Sequence, residues 1–286
     1  MTLYHLRKHP DFDAPILVAA FDGWVDGGRA GTLAADQLAA EGKPIASFDG
    51  DRIYDYRARR PMLDIVDGKL MELEWPALQL IATKIGERDL LVLTGAEPDY
   101  LWRQLSSDVV ALAKELGVVT WVSLGAIPAT VPHTRPVPIL GTASSLGLLP
   151  EDVPQGPEGQ LRVPSALVSV LELAMSQAGI PALGFFAQVP HYASGVFPNG
   201  AVELLGRLGN FLGTDIPLGD LPKRALETRA LLDAAVAAEE RTRTYVERLE
   251  AMADEARLPA GDELIADIER FLRDGGSSDG GSGLPN

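Results

Sequence analysis

Pro132-His133-Thr134-Arg135-Pro136 sets a histidine and an arginine two residues apart in a segment closed by proline at both ends. In a catalytic site the histidine could move a proton near neutral pH, and the arginine fork could hold a phosphate or carboxylate. The same side chains could instead satisfy backbone carbonyls of a proline-locked loop, and that plainer reading is preferred. Pro190-His191-Tyr192 offers a second such choice, with packing as a corner the stronger reading. Glu97, just before Pro98 at a strand end, is a further candidate acid, with exposure on a loop as its plainer alternative.

A third cluster is glycine-rich: Gly23, Trp24, Asp26, Gly27, Gly28 and Gly31 fall within nine residues. Glycines let backbone amides approach a ligand closely, so Gly23, Trp24, Asp26, Gly27, Gly28 and Tyr192 are the candidate ligand-binding residues, beside His133, Arg135, Glu97 and His191 as candidate catalytic ones. The spacing misses G-x-G-x-x-G, because Asp26 stands where the first glycine belongs, and no Lys-Ser or Lys-Thr pair makes a P-loop. A tight turn with close helix-to-sheet packing explains these glycines more simply, and Asp26 reads best as a helix cap. No paired ligand spacing suggests a metal, and no cofactor is expected.

These residues need elements to position them. Ile16 to Phe21 is a short apolar run that reads as a fully buried strand, and Ala30, Leu33, Ala34 and Leu38 then recur at helical spacing. Ile45 to Phe48 is a further strand. Met62 to Val66 and Lys69 to Glu74, joined by Asp67-Gly68, carry a hairpin signal. Leu78 to Lys84 and Asp89 to Thr94 are two more strands. A helix capped by Asp99 and ended by Gly117 leads to a strand at Val118 to Leu124, which completes a β-α-β unit. Gly125 to Pro138 holds too much proline for helix or central strand.

Further along, helices are expected at Val163 to Ala178 and Asn199 to Leu212, with the strand Pro181 to Gln188 between them. Leu221 to Met252 reads as one long amphipathic helix whose apolar stripe is interrupted at Glu239 to Thr244. A short helix follows Asp262, and residues 275–286 form a Gly/Ser tail expected to be disordered. The expected division is an α/β domain over 1–215, a helical extension over 216–274 and the tail. The loops after Phe21, Thr94, Leu124 and Gln188 should leave one edge of the sheet together, where open α/β sheets bind ligands.

Composition narrows the classes. The chain has 286 residues, 46% of them hydrophobic, enough for a substantial core. Its formal net charge of −15 opposes nucleic acid and anionic membrane as partners. Arg52, Arg57, Arg59 and Arg60 cluster, but Asp49, Asp51, Asp55 and Asp64 interleave with them, so this segment reads as solvated or as an interface. Without cysteine there are no disulfides or thiolate sites. A soluble cytoplasmic protein is expected.

Phe21-Asp22-Gly23-Trp24, Asp26-Gly27-Gly28, Gly95-Ala96-Glu97-Pro98, Pro132-His133-Thr134-Arg135-Pro136 and Pro190-His191-Tyr192 occur in that order within about the first 210 residues. The ordered set resembles the proteasome assembly chaperone 2 family in its actinobacterial form. The resemblance implies a mixed, mostly parallel sheet flanked by helices, similar to the purine nucleoside phosphorylase fold. It also implies homo-oligomers, trimers being common, and proteasome subunits as partners. The expected function is therefore protein interaction of the assembly-chaperone kind, without catalysis. The alternative is a hydrolase or phosphorylase acting on a small nucleoside-like or carboxylated ligand, with His133 as acid/base and Arg135 on an anion. A large apolar surface patch would mark the first, a concave polar pocket the second.

Overall fold

Along residues 16–21 two apolar sets alternate: Leu17, Ala19 and Phe21 enter one buried cluster, and Ile16, Val18 and Ala20 enter another. A strand covered on both faces must lie between two helical layers. In the computed structural model, which describes residues 2–156 and 159–255, that strand is β2 (Ile16–Asp22), near the centre of the sheet. Its neighbours β7 (Arg88–Ala96) and β8 (Thr120–Ala129) run parallel to it, and β10 (Ala182–Pro190) runs parallel to β8.

Antiparallel strands flank this parallel centre. β9 (Ile139–Ala143) closes one edge against β10. On the other side β6 (Leu78–Ile85) pairs with β7, β3 (Lys43–Phe48) with β6, and β1 (Tyr4–Leu6) forms the outer edge. Among the described residues the order is β1-β3-β6-β7-β2-β8-β10-β9, an α/β architecture with a mixed sheet. β4 (Met62–Val66) and β5 (Lys69–Glu74) stand apart as a two-stranded hairpin. Asp67 (φ 50°) and Gly68 (φ 77°) supply the two positive φ angles that its tight turn requires.

On one face, α1 (Ala30–Ala39) and α5 (Pro198–Leu212) bury Ala34, Leu38, Leu204 and Leu208 against Val18 and Val92. On the other, α3 (Trp102–Glu115) and α4 (Leu167–Gln177) bury Leu105, Val109, Leu167 and Leu171 against Leu17 and Leu93. A short helix, α2 (Gly50–Ile53), precedes the hairpin. Two helices complete the described chain, α6 (Leu221–Ala237) and α7 (Glu240–Glu255).

Several expected elements are differently bounded. β8 continues through Pro128 to Ala129, although a central strand was not expected beyond Leu124. Beyond Ser123 its β2 side is free of that strand, so a proline without an amide is tolerated there. Asp99 does not cap α3; its carboxylate accepts the Asp55 N–H (2.8 Å), and the helix starts after Leu101 in a left-handed conformation. α4 starts at Leu167, since Pro164 disfavours helical geometry before it. The single long helix expected over 221–252 is two, broken near Glu239, whose carboxylate accepts the Thr242 hydroxyl (2.6 Å) at the start of α7. The helix expected after Asp262 and the tail at 275–286 lie outside the described residues.

Candidate interaction and ligand sites

β8 and β10 end in register, Ala129 opposite Pro190, so the two histidine loops leave the sheet side by side. His191 donates its backbone N–H to the Ala129 carbonyl (3.1 Å), and its Nδ1 lies at the same distance from that oxygen. The Tyr192 hydroxyl accepts the His133 backbone N–H and contacts His133 Nδ1, both at 2.8 Å. His133 Nε2 lies 3.0 Å from Asp233 Oδ1 on α6. A carboxylate there requires a proton on Nε2, so in the neutral ring the Tyr192 O–H donates to Nδ1 and Nε2–H donates to Asp233. His133 is only 3% exposed, and burial pushes its pKa below 6.5 while Asp233 opposes part of that shift.

The rest of this segment also faces the last two helices. Thr134 donates its hydroxyl to Glu250, and Arg135 forms a bidentate pair with Asp254 (2.7 Å for each bond) while lying 3.5 Å from Glu250. Tyr245 of α7 packs edge-on against both His191 and Tyr192. The structure therefore brings His133, Arg135, His191 and Tyr192 together, with α6 and α7 closed over them. Asp233, Tyr245, Glu250 and Asp254 are contact partners of these side chains that the sequence did not reveal. They lie from 54 to 119 residues away from the side chains they hold, so no local pattern marks them.

The glycine-rich residues gather elsewhere on the same sheet edge. Glu97 bridges two elements, accepting the Trp24 N–H at Oε2 (3.0 Å) and the Leu167 N–H of α4 at Oε1 (2.7 Å). Gly23 faces this carboxylate so closely that a Cβ would fall 2.2 Å from Oε2. Asp26 receives the Gly31 and Thr32 amides (2.8 and 3.2 Å), which caps α1, and burial raises its pKa while Thr32 opposes the rise. Gly28 adopts φ 61° and accepts the Phe197 N–H (2.7 Å), and a Cβ added there would fall 2.6 Å from Phe197 Cβ. Gly27 lies along the Ala126 backbone. Each close approach is to another part of the protein, while the Trp24 ring is exposed.

The hairpin is where the apolar surface lies. Met62, Leu63, Ile65, Val66, Leu70, Met71, Leu73 and the adjoining Trp75 are each 42–70% exposed. Register places Leu63 opposite Leu73 and Ile65 opposite Leu70 on one face, with a bulge in β5 between the pairs, while Met62 and Val66 fall on the other, so apolar side chains occupy both faces. At its base opens a cavity of about 690 Å³ whose lining includes Asp22, Arg29, Asp36, Arg59, Arg60 and Trp75.

The PAC2 family model matches residues 20–236, a span that includes both loop groups, the hairpin and all but the last residue of α6. The chain belongs to the PAC2 family. Among solved PAC2-like structures it is similar to the Mycobacterium tuberculosis protein of unknown function Rv2714, with 32% identity over 88% of this chain and 91% of that one and a TM-score of 0.82. It is also similar to Rv2125 of the same organism, a proteasome-assembly chaperone homologue, with 36% identity, coverage of 81% and 99%, and a TM-score of 0.73. The archaeal proteasome activator PbaB of Pyrococcus furiosus shares the fold, at 18% identity over 81% of this chain and 97% of that one, with a TM-score of 0.62. No curated protein matches the chain. Among the described residues of this PAC2 chain no helix is long and apolar enough to cross a membrane, and no three His, Cys, Asp or Glu side chains are grouped to hold a metal ion.

Proposed function

We propose that this PAC2 protein is a non-enzymatic, assembly-chaperone-like protein that self-associates, as a trimer, and meets proteasome subunits as partners. The exposed hairpin carries this reading. A two-stranded ribbon is marginally stable alone, and one with apolar side chains on both faces gains stability when another surface covers it. Other copies of the chain are always present to do so. A partner met only during assembly is not. Similarity to a proteasome-assembly chaperone homologue supports proteasome subunits as the further partner.

The hydrolase or phosphorylase alternative assigns proton transfer to His133 and anion binding to Arg135. His133 is enclosed and bonded at both ring nitrogens, and Arg135 is engaged by Asp254 and Glu250. Neither group lines the cavity at the base of the hairpin, and both are held by α6 or α7, so the observations favour fastening over chemistry. The test of the partner is to mix the purified protein with proteasome α and β subunits from the same host and follow complex formation by native mass spectrometry. A complex containing both proteins, or faster ring formation in its presence, is expected. Unchanged subunit assembly with no shared complex would overturn the partner assignment.

A further inference from the structure

β2 and β7 are parallel neighbours, yet the helices that follow them lie on opposite faces: α1 packs on Val18 and α3 on Leu17. Where connections diverge in this way, a crevice opens at the carboxyl ends of the two strands. Here it is the cavity of about 690 Å³, within the size range of small-molecule sites. Asp22 ends one strand beside it, Thr94, Gly95 and Ala96 end the other, and Thr32 and Asp36 of α1 form a wall.

We propose that this cleft binds a small molecule carrying two or more oxyanion groups, phosphate or carboxylate, through Arg29, Arg59 and Arg60. Arg29, Arg59 and Arg60 line the cleft together with Asp22, Asp36 and Glu74, so its lining balances charge in a chain whose net charge is −15. Arg59 is already aimed: its Nη2 donates to the Asp22 carbonyl (3.1 Å) and its Nη1 lies 3.5 Å from the Asp22 carboxylate. That is the cleft's one ion pair among the described residues; Arg29 acts on Asp36 through its charge, without a hydrogen bond, so its donor fork and that of Arg60 can turn to a guest. Arg29 holds a left-handed backbone (φ 54°), a conformation in which side chains other than glycine are uncommon, and its N–H is fixed on the Asp26 carbonyl at 2.9 Å. Such local strain clusters at binding sites. Trp75, half exposed and braced edge-on by Tyr56 (4.7 Å between centroids), adds an apolar surface for the ligand's carbon skeleton.

This site is distinct from the His133 loop and goes beyond the protein-contact reading. Calorimetric titration of the full chain at low salt with pyrophosphate and with citrate tests it directly. Saturable binding of at least one is expected, and the tighter of the two identifies phosphate or carboxylate as the recognised group. Arg60→Ala and Arg29→Gly should each weaken binding about tenfold or more, the loss of a charge-assisted hydrogen bond. Both should leave the fold intact by circular dichroism, because Arg60 is exposed and glycine accepts the backbone angle of position 29. Arg60→Lys, which keeps the charge without the fork, should fall between. Absence of saturable binding by both anions, or binding indifferent to all three variants, would overturn the assignment. Either result is read without proteasome subunits, so it stands or falls separately from the partner assignment.

Discussion

His133 Nε2 and the Asp233 carboxylate meet at 3.0 Å across a hundred residues of chain, and through them the loop after β8 holds α6. The Tyr192 hydroxyl completes the fastening from the other side of the ring. Tyr192→Phe removes the partner of both His133 Nδ1 and its backbone N–H. A cost of about 1–3 kcal/mol is expected from leaving such groups unsatisfied, measured by urea denaturation. Limited proteolysis should in parallel cleave α6 and α7 sooner. Unchanged stability and cleavage would remove the fastening role from this pair.

The same histidine predicts a pH dependence. Its folded pKa lies below 6.5, so between the two values the unfolded chain binds a proton that the folded chain does not. Stability should therefore be fully present above pH 6.5 and fall as the pH drops through the folded value. His133→Gln should flatten this limb. Asp26 works in the opposite direction, since its folded pKa is raised above 3.8 and its contribution is lost as the pH rises through the folded value. Denaturant unfolding at intervals from pH 5 to 8, on the wild type and His133→Gln side by side, separates the histidine from this carboxyl. A limb that persists in His133→Gln belongs to another group.

Gly28→Ala tests the glycine-rich loop as a packing device. The added methyl meets Phe197 Cβ at 2.6 Å at a backbone φ of 61°, so strain and overpacking act together. A loss of about 2 kcal/mol is expected from chemical denaturation. Gly68→Ala has open space around its Cβ, and its cost should be confined to the φ 77° backbone of the turn. Equal losses at the two positions would contradict the packing argument.

Glu97 gives a sharper local test. Glu97→Gln keeps the shape but presents one oxygen and one amide to two N–H donors, so one of the amides of Trp24 and Leu167 loses its acceptor. Hydrogen exchange should speed up at one of them, with a stability loss of about 1–3 kcal/mol. Protection unchanged at both would show that the bridge does not hold the start of α4.

What could be read from the sequence was local. The apolar run over Ile16 to Phe21, the Asp67-Gly68 turn and the unit running through β7, α3 and β8 all follow from neighbouring residues, and the structure shows them. The two histidine loops converge because β8 and β10 are parallel and in register, which the strand pattern could anticipate. Their partners on α6 and α7 could not be anticipated, because the break near Glu239 folds α7 back through contacts far apart in the chain. The hairpin was visible as a hairpin, but its lack of cover was not: apolar alternation reads the same whether a face is buried within the chain or between chains. Arg59 and Arg60 stood out only as part of a mixed charge cluster until the fold set Arg29 beside them.

The central claim is that the hairpin is a contact surface between proteins. Leu70 shares a face with its partner Ile65, and Val66, the next residue of β4, lies on the other, so Leu70→Glu with Val66→Glu charges both faces while leaving the Asp67-Gly68 turn in place. Sedimentation velocity of the wild type and this double variant is the most direct measurement. The account predicts a wild-type particle several times the 30.5 kDa chain mass and a variant that sediments as a folded monomer. A wild-type protein that is already monomeric, or a double variant that keeps the wild-type mass, would contradict it.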